Sequence, residues 1–193
     1  MVGRPRGFDP EERLERALEV FWRHGYEGAA LADLTAAMGL NRPSLYAAYG
    51  NKESLFRKAV DRYLAGPARH IGGAPDEATG RAAAERLLRG AVEVVVARDH
   101  RGCLVTQGAL ATGEQGEPAR AELAARRRAG LERLRERLER AQADGDLARD
   151  VDAADLARFV TTVSYGLSVQ ATDGATREEL HAVVDLAMRA WPV

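Results

Sequence analysis

Basic, hydroxyl and aromatic side chains lie close together in the segment from Arg42 to Lys52, RPSLYAAYGNK. A guanidinium can bind O6 and N7 of guanine with two hydrogen bonds, so Arg42 is the candidate for a base contact. Ser44 can reach a base edge or a phosphate. This chemistry suits the major groove of DNA, and it requires a short helix that presents these side chains outward.

The residues before this segment predict a supporting helix. Leu31, Leu34 and Met38 recur at i, i+3 and i+7, which places an apolar stripe on one side of a helix. Gly39 follows at once, where a left-handed residue can end the helix without a Cβ penalty.

A second helix is predicted directly after this stop. Asn41 is a good N-cap, and Pro43 falls in the first turn, where its missing N–H costs little. Leu45 is the expected inward anchor. Two short helices joined by such a turn form a helix-turn-helix, whose second helix enters a major groove.

The longer run GYEGAALADLTAAMGLNRPSLYAAYGNKESLF resembles the TetR family of bacterial transcriptional repressors, and the resemblance extends from about Phe8 to Leu64. It implies an all-α fold, with an N-terminal three-helix helix-turn-helix DNA-binding domain and a C-terminal helical ligand-binding and dimerisation domain. We place the DNA-binding domain at residues 1–52, a connecting helix at 53–66, and the second domain at 67–193.

Residue type and resemblance together predict a set of DNA contacts: Arg42, Pro43, Ser44, Tyr46, Tyr49, Lys52, Arg4 and Arg6. The resemblance assigns backbone contacts to the two tyrosines and a phosphate contact to Lys52. Two alternatives stay open, because Tyr49 could be an aromatic core anchor and the arm with the two N-terminal arginines could be a disordered terminus. At Ala29-Ala30 the chain lacks the Thr or Ser that many relatives carry, so one hydroxyl cap and phosphate contact is missing.

Charge and composition exclude several classes of protein. The formal net charge is −1, so the chain is no polycation, although five basic residues face two acidic ones between Gly39 and Arg62. No apolar run approaches the roughly 18 residues that span a bilayer, and no secretory signal is evident. The single cysteine, Cys103, rules out an intramolecular disulfide. We expect a soluble, cytoplasmic protein without membrane association.

No catalytic constellation is evident in the sequence. The four histidines are scattered, and His100 with Cys103 supplies only two candidate metal ligands. No phosphate-binding loop or nucleophile elbow occurs. We therefore expect neither an enzyme nor a bound metal or cofactor.

The C-terminal part is predicted to be helical after a connection over residues 67–80, where glycine and proline interrupt the periodicity. The run Arg126–Arg128 is interpreted as a solvated helix face rather than a nucleic-acid patch. The last two helices are strongly apolar, and the resemblance implies that they pair with a second copy of the chain in a homodimer.

The resemblance also implies a pocket for a small, mostly apolar effector in the C-terminal domain. Its candidate lining residues are Cys103, Thr106, Gln107, Leu110, Phe159, Thr162, Val163 and Tyr165. The predicted function is a homodimeric repressor that an effector releases from a palindromic double-stranded operator. An activator or an effector-independent regulator is an alternative, and so is a helical enzyme or small-molecule carrier without DNA binding.

Overall fold

The computed structural model describes residues 9–97, 102–108 and 116–192, and in these ranges the chain is helical without a β-strand. The helices in chain order are α1 Pro10–Gly28, α2 Leu31–Met38, α3 Arg42–Tyr49, α4 Lys52–Ala65, α5 Arg69–Gly73, α6 Gly80–Val96, α7 Leu104–Gln107, α8 Glu117–Ala143, α9 Ala153–Thr172 and α10 Arg177–Arg189. The predicted all-α fold is confirmed.

The N-terminal core forms where α1 packs against α2 and α4. The carboxylate of Asp9 caps α1 by accepting a hydrogen bond from the N–H of Glu11 at 2.9 Å. Phe21 of α1 meets Phe56 of α4 edge-on, with ring centroids 5.1 Å apart, and both rings are buried. This aromatic contact fixes the long helix α4 along α1.

Gly25 interrupts α1 three residues before its end. Its φ of 68° lies in the left-handed region, which a residue with a Cβ adopts only with strain. The chain bends there, and Tyr26 folds back so that its ring lies 5.1 Å from that of Phe56. The last residues of α1 thereby close the end of the N-terminal core.

The predicted non-helical connection over residues 67–80 is wrong in part, because the segment contains α5 and a 3₁₀ turn over Ala74–Asp76. Packing against α4 and α6 holds this short helix in place despite its glycines. The fit depends on Gly90 of α6, since a Cβ there would lie 2.4 Å from Cβ of His70. Tertiary contacts thus override the weak local helical signal.

The C-terminal core surrounds α6, which packs against α8, α9 and α10. Its first turn is capped twice, by the hydroxyl of Thr79 and by the carboxylate of Asp146, which accepts from the N–H of Gly80 at 2.6 Å. Helix α10 begins with a capping box, in which Thr176 and Glu179 are bonded reciprocally at 2.8 and 3.2 Å. These caps fix where the C-terminal helices begin.

The N-terminal core extends beyond the DNA-binding helices. Val94 of α6, two residues of α7 and two residues of α8 are buried in the same cluster as Phe21 and Tyr63. Helix α4 contributes much of this cluster and also leads into the C-terminal half. It is therefore a structural part of the N-terminal core, not only a connection.

Candidate nucleic-acid interface and internal cavity

Helices α2 and α3 are joined by a tight turn of defined geometry. Leu34, Met38 and Leu45 are buried and anchor the two helices to the N-terminal core. Gly39 adopts a φ of 60° and ends α2, as predicted. Its carbonyl accepts a hydrogen bond from Nη1 of Arg13 at 3.0 Å, so α1 also fixes the turn.

The first turn of α3 presents polar groups to solvent. The side chain of Asn41 accepts a hydrogen bond from the N–H of Ser44 at 2.8 Å, and Pro43 stands in the first turn. Arg42, Ser44 and Tyr46 are exposed. No carboxylate among the described residues forms an ion pair with Arg42. This helix therefore offers an unneutralised guanidinium beside hydroxyl groups, which is the chemistry of base and phosphate contacts.

Tyr49 is placed in the core. It is only 8% exposed, and its hydroxyl donates a hydrogen bond to the carbonyl of Pro10 at 3.2 Å. Burial raises the pKa of Tyr49, and Arg13 partly opposes that shift. The structure thus matches the core-anchor alternative, while a DNA contact by this hydroxyl stays a prediction.

Lys52 is the first residue of α4, whose cap is Asn51, accepting from the N–H of Ser54 at 2.7 Å. The ammonium lies 4.6 Å from the centroid of the Tyr26 ring, a cation–π contact. Burial lowers the pKa of Lys52, partly opposed by Glu27. The Tyr26 ring thus holds the ammonium at the N-terminal end of α4, where the helix dipole favours a phosphate.

The local excess of positive charge is smaller in the fold than along the sequence. Arg57 pairs with Glu53 of its own helix and with Glu122 of α8. Arg62 pairs with two carboxylates of α1, at 2.8 and 3.0 Å. These arginines are neutralised within the protein, whereas Arg42, Lys52 and Lys58 form no such pair with any residue that the structure describes.

A cavity of about 130 Å³ lies between α4, α5, α6, α7, α8 and α9. Most of its wall is apolar, from Leu64, Ile71, Leu87, Ala91, Val94, Val95 and Leu131. Its polar groups come from His70, Cys103, Thr106, Arg127, Thr161, Ser164 and Tyr165, with Arg126 and Arg133 also in the lining. The cavity adjoins α4 and is therefore close to the N-terminal core.

Three of the predicted pocket residues, Cys103, Thr106 and Tyr165, line this cavity. Gln107 instead lines a separate surface depression beside α1, and Val163 packs against the C-terminal core. Arg4, Arg6 and Leu110 lie outside the described residues.

Phe159 and Thr162 do not line this cavity, and their assignment to an effector pocket stays a prediction. Both are exposed, Phe159 to 43%. Successive residues of a helix differ by about 100° in direction, so Thr161 can point inward while Thr162 points outward. Which residues of α9 face the cavity is therefore set by the rotation of this helix about its axis.

The interpretation of Arg126–Arg128 as a solvated face is wrong for its first two members. Arg126 and Arg127 are half-buried and line the cavity, whereas Arg128 is exposed. A signal for this placement exists in the sequence, since Leu123 and Leu131 stand four residues before and after Arg127 on the same side of the helix.

The polar end of the cavity is a cluster of interacting groups. The hydroxyl of Tyr63 donates to Sγ of Cys103 at 3.2 Å, and burial raises the pKa of Tyr63 well above its ordinary value. The guanidinium of Arg127 donates to the carbonyl of Val105, and burial lowers the pKa of Arg127. Burial raises the pKa of Tyr165, and nearby Arg127 partly opposes that shift.

The cavity is coupled to α1 by a buried hydrogen bond. Nε1 of Trp22 donates to the carbonyl of Gly102 at 2.9 Å, next to Cys103 in the chain. The indole also meets the ring of Tyr63 edge-on, with centroids 4.9 Å apart. Both contacts of Trp22 therefore lie between α1 and residues next to the cavity.

Among the described residues no group of three or more metal-ligating side chains occurs. No helix in the described ranges is long and apolar enough to cross a membrane.

Two sequence families match this arrangement. Residues 14–59 match the bacterial regulatory proteins of the tetR family, and residues 83–185 match the tetracyclin repressor-like C-terminal domain. The chain belongs to the TetR family. It is therefore a DNA-binding regulator of transcription, and the residues from α1 to α4 correspond to the DNA-binding part of the family.

Several TetR regulators resemble the chain over nearly its whole length. The TetR family transcriptional regulator CifR, solved as a cysteine-substituted form with a 26-base-pair operator DNA, is 48% identical, with a TM-score of 0.90 over 98% of this chain and 100% of that one. A TetR regulator from Rhodococcus sp. RHA1 is 42% identical, with a TM-score of 0.66 over 93% and 97% of the two chains. The transcriptional repressor ComR of Escherichia coli K12 is 31% identical over 98% of this chain and 92% of its own length. These TetR relatives are regulators of transcription and not enzymes.

Proposed function

We propose that the chain is a homodimeric repressor that binds a palindromic DNA operator and leaves it when a small molecule occupies the internal cavity. The observation that carries this proposal is the position of the cavity against α4, which shares one core with α1 and with the helix-turn-helix. Further support comes from CifR, which is described with operator DNA, and from ComR, which is named a repressor.

Helix α3 is the recognition helix in this proposal, lying in the major groove. Arg42 contacts a guanine edge and Ser44 a base edge or phosphate. Pro43 and Tyr46 meet the DNA at the exposed side of α3, and Lys52 binds a phosphate at the start of α4. Since phosphate contacts carry no sequence information, preference for one operator depends mainly on Arg42.

Dimerisation through α9 and α10 is supported by their exposed apolar side chains. Phe159, Val169, Val183 and Leu186 are 43%, 45%, 43% and 59% exposed and lie on these two helices. Gly166 lies on the same exposed side of α9, and a Cβ there would meet nothing within 4 Å, so a partner helix has room to approach closely. Two-fold pairing of these faces produces a dimer with two recognition helices, whose half-sites lie about 34 Å apart.

Release requires an effector that binds one conformation of the dimer better than the other. The contacts from Tyr63 to Cys103 and from Trp22 to Gly102 connect the cavity wall to α4 and α1. A ligand that displaces Cys103 would shift both helices, and with them the spacing of the recognition helices. We place this activity in the bacterial cytoplasm, where the operator DNA is.

The decisive experiment is selection of bound DNA from a random pool by the full-length protein, followed by a binding titration with salt. A palindromic consensus, together with repression of a reporter that carries it, supports the proposal. A single unpaired half-site contradicts the homodimer, and activation of the reporter contradicts repression. Recovery of no preferred sequence favours the alternative of a helical small-molecule carrier.

A further inference from the structure

The charges along the cavity wall are unbalanced. The arginines of the lining come from α8, and among the described residues no acidic side chain lines the cavity. Arg126 is neutralised, with Glu122 at 2.7 Å and Asp61 at 2.8 Å. Arg127 has no such partner in the described part of the chain, and its one hydrogen bond goes to the neutral carbonyl of Val105.

A half-buried cation without a counter-ion is costly, because removal from water disfavours its charge. The chain nevertheless holds Arg127 inward, on the side of α8 that also carries Leu123 and Leu131. A guanidinium has five N–H donors, so the bond to Val105 leaves several for a ligand. Tyr165 lines the same cavity, close enough for Arg127 to act on its pKa, and adds a hydroxyl donor.

The remainder of the cavity selects for an apolar body of limited size. Its volume is about 130 Å³, comparable to the cavity of about 150 Å³ that holds benzene in another protein. Leucine, isoleucine and valine side chains form much of the wall. A ring or a branched chain with one charged end fits both the volume and the polarity.

We propose that the cavity binds a small organic carboxylate, whose anion pairs with Arg127 and accepts a hydrogen bond from Tyr165 while its apolar part contacts the wall of α6. The carboxylate would serve as the counter-ion that Arg127 lacks among the described residues. A planar guanidinium can bind a carboxylate with two parallel hydrogen bonds. This inference rests on the proposed function in one respect, namely that the cavity is the effector site.

Thermal unfolding of the full-length protein tests the inference with matched pairs of probes: benzoate with benzamide, phenylacetate with phenylacetamide, and cyclohexanecarboxylate with its amide. At a concentration about a hundredfold above its dissociation constant, a bound acid raises the melting temperature by about 5–10 °C. We expect this shift with at least one acid and not with its neutral amide.

Variants locate the binding. Arg127→Gln is expected to weaken the acid about tenfold to a hundredfold, and Tyr165→Phe by a smaller factor. Arg128→Gln removes the same charge from the adjacent exposed position and is the matched control, with binding unchanged. Since both arginine variants lose one charge on the same helix, a difference between them identifies the direct contact.

The inference is overturned if none of the acids shifts the melting temperature, if the amides stabilise the protein equally, or if Arg127→Gln binds the acid as tightly as the parent. Operator binding, measured separately by fluorescence anisotropy, distinguishes this failure from that of the proposed function. Binding of an acid without release of DNA supports the carboxylate site and contradicts effector release. Operator binding that another class of compound reverses, with no response to acids, contradicts the carboxylate site alone.

Discussion

The indole Nε1 of Trp22 donates a hydrogen bond to the carbonyl oxygen of Gly102, 2.9 Å away and 80 residues further along the chain. The bond is buried, and it joins the first helix of the DNA-binding part to the segment that carries Cys103 into the cavity wall. This hydrogen bond joins α1 to the residue that precedes Cys103 in the cavity wall.

Replacement of Trp22 by Phe tests this link, because it keeps an aromatic ring against Tyr63 but removes the N–H donor. A buried carbonyl left without a partner costs about 1–3 kcal/mol, so the free energy of unfolding is expected to fall by that amount. Denaturant unfolding measures the loss. In a release assay the variant should need more effector than the parent; an equal requirement would separate this bond from regulation.

Arg42→Ala is expected to relax base preference at one position in each half-site. The guanidinium is exposed and forms no ion pair in the described part of the chain, so its removal leaves the fold intact. Loss of one bidentate base contact costs about 1–3 kcal/mol of discrimination. Repeating the selection from a random pool checks the result, and an unchanged consensus would refute direct readout by this residue.

Lys52→Ala should weaken binding to all sequences about equally and reduce the salt dependence by about one unit for each lysine engaged. Lys58→Ala is the matched control, because Lys58 is an exposed lysine of the same helix that we do not assign to DNA. Titrations at several salt concentrations measure both slopes. Equal slopes for parent and Lys52→Ala would remove Lys52 from the interface.

Leu186→Glu should convert the protein to a monomer and abolish tight operator binding, because a carboxylate would be buried unpaired between two apolar faces. The side chain is 59% exposed in the single chain, so the fold itself should persist. Light scattering gives the mass, and circular dichroism confirms the helical content. Ala154→Glu adds the same charge to an exposed site in the first turn of α9 and should remain dimeric.

His70 predicts a loss of stability in mild acid. Burial, with a smaller effect of Arg86, lowers the pKa of His70 from 6.5 to about 4. Below pH 6.5 the unfolded chain binds a proton at His70, whereas the folded chain binds it only near pH 4. The free energy of unfolding is therefore highest above pH 6.5 and falls as the pH decreases from 6.5 to about 4. The full effect is about 3 kcal/mol. Unfolding curves of the parent and His70→Gln across this range should diverge, and parallel curves would contradict a half-buried histidine that stays neutral in the fold.

The helices and their ends were largely predictable from the sequence, because caps and stops act over a few residues. Gly39 and Asn41 adopt the predicted roles through bonds within one turn. The sequence does not predict helix α5, because the helix packs closely against Gly90 through His70, a residue distant from Gly90 in the chain. Local rules carry no information about such a contact.

The lining of the cavity is harder to predict than the recognition helix, because it too depends on contacts between residues that are distant in the chain. Thr106 and Tyr165 were expected in its wall, but the directions of Phe159 and Thr162 depend on how α9 is rotated against its neighbours. Charge also depends on the fold: Arg62 is neutralised by acids of α1 that lie some fifty residues earlier. For Arg127 the sequence does indicate an inward position, because Leu123 and Leu131 stand four residues before and after it.

The shared N-terminal core has a consequence for how such regulators can be recombined. Because Leu104, Val105 and Leu123 complete the core that also contains Phe21 and Phe56, the DNA-binding helices cannot be exchanged at a single cut in the chain. A chimaera that grafts residues 9–65 onto another C-terminal domain would leave part of this aromatic cluster exposed to water. Evolution of a new operator preference is then expected to proceed by point changes on the exposed side of α3, rather than by replacement of the whole unit.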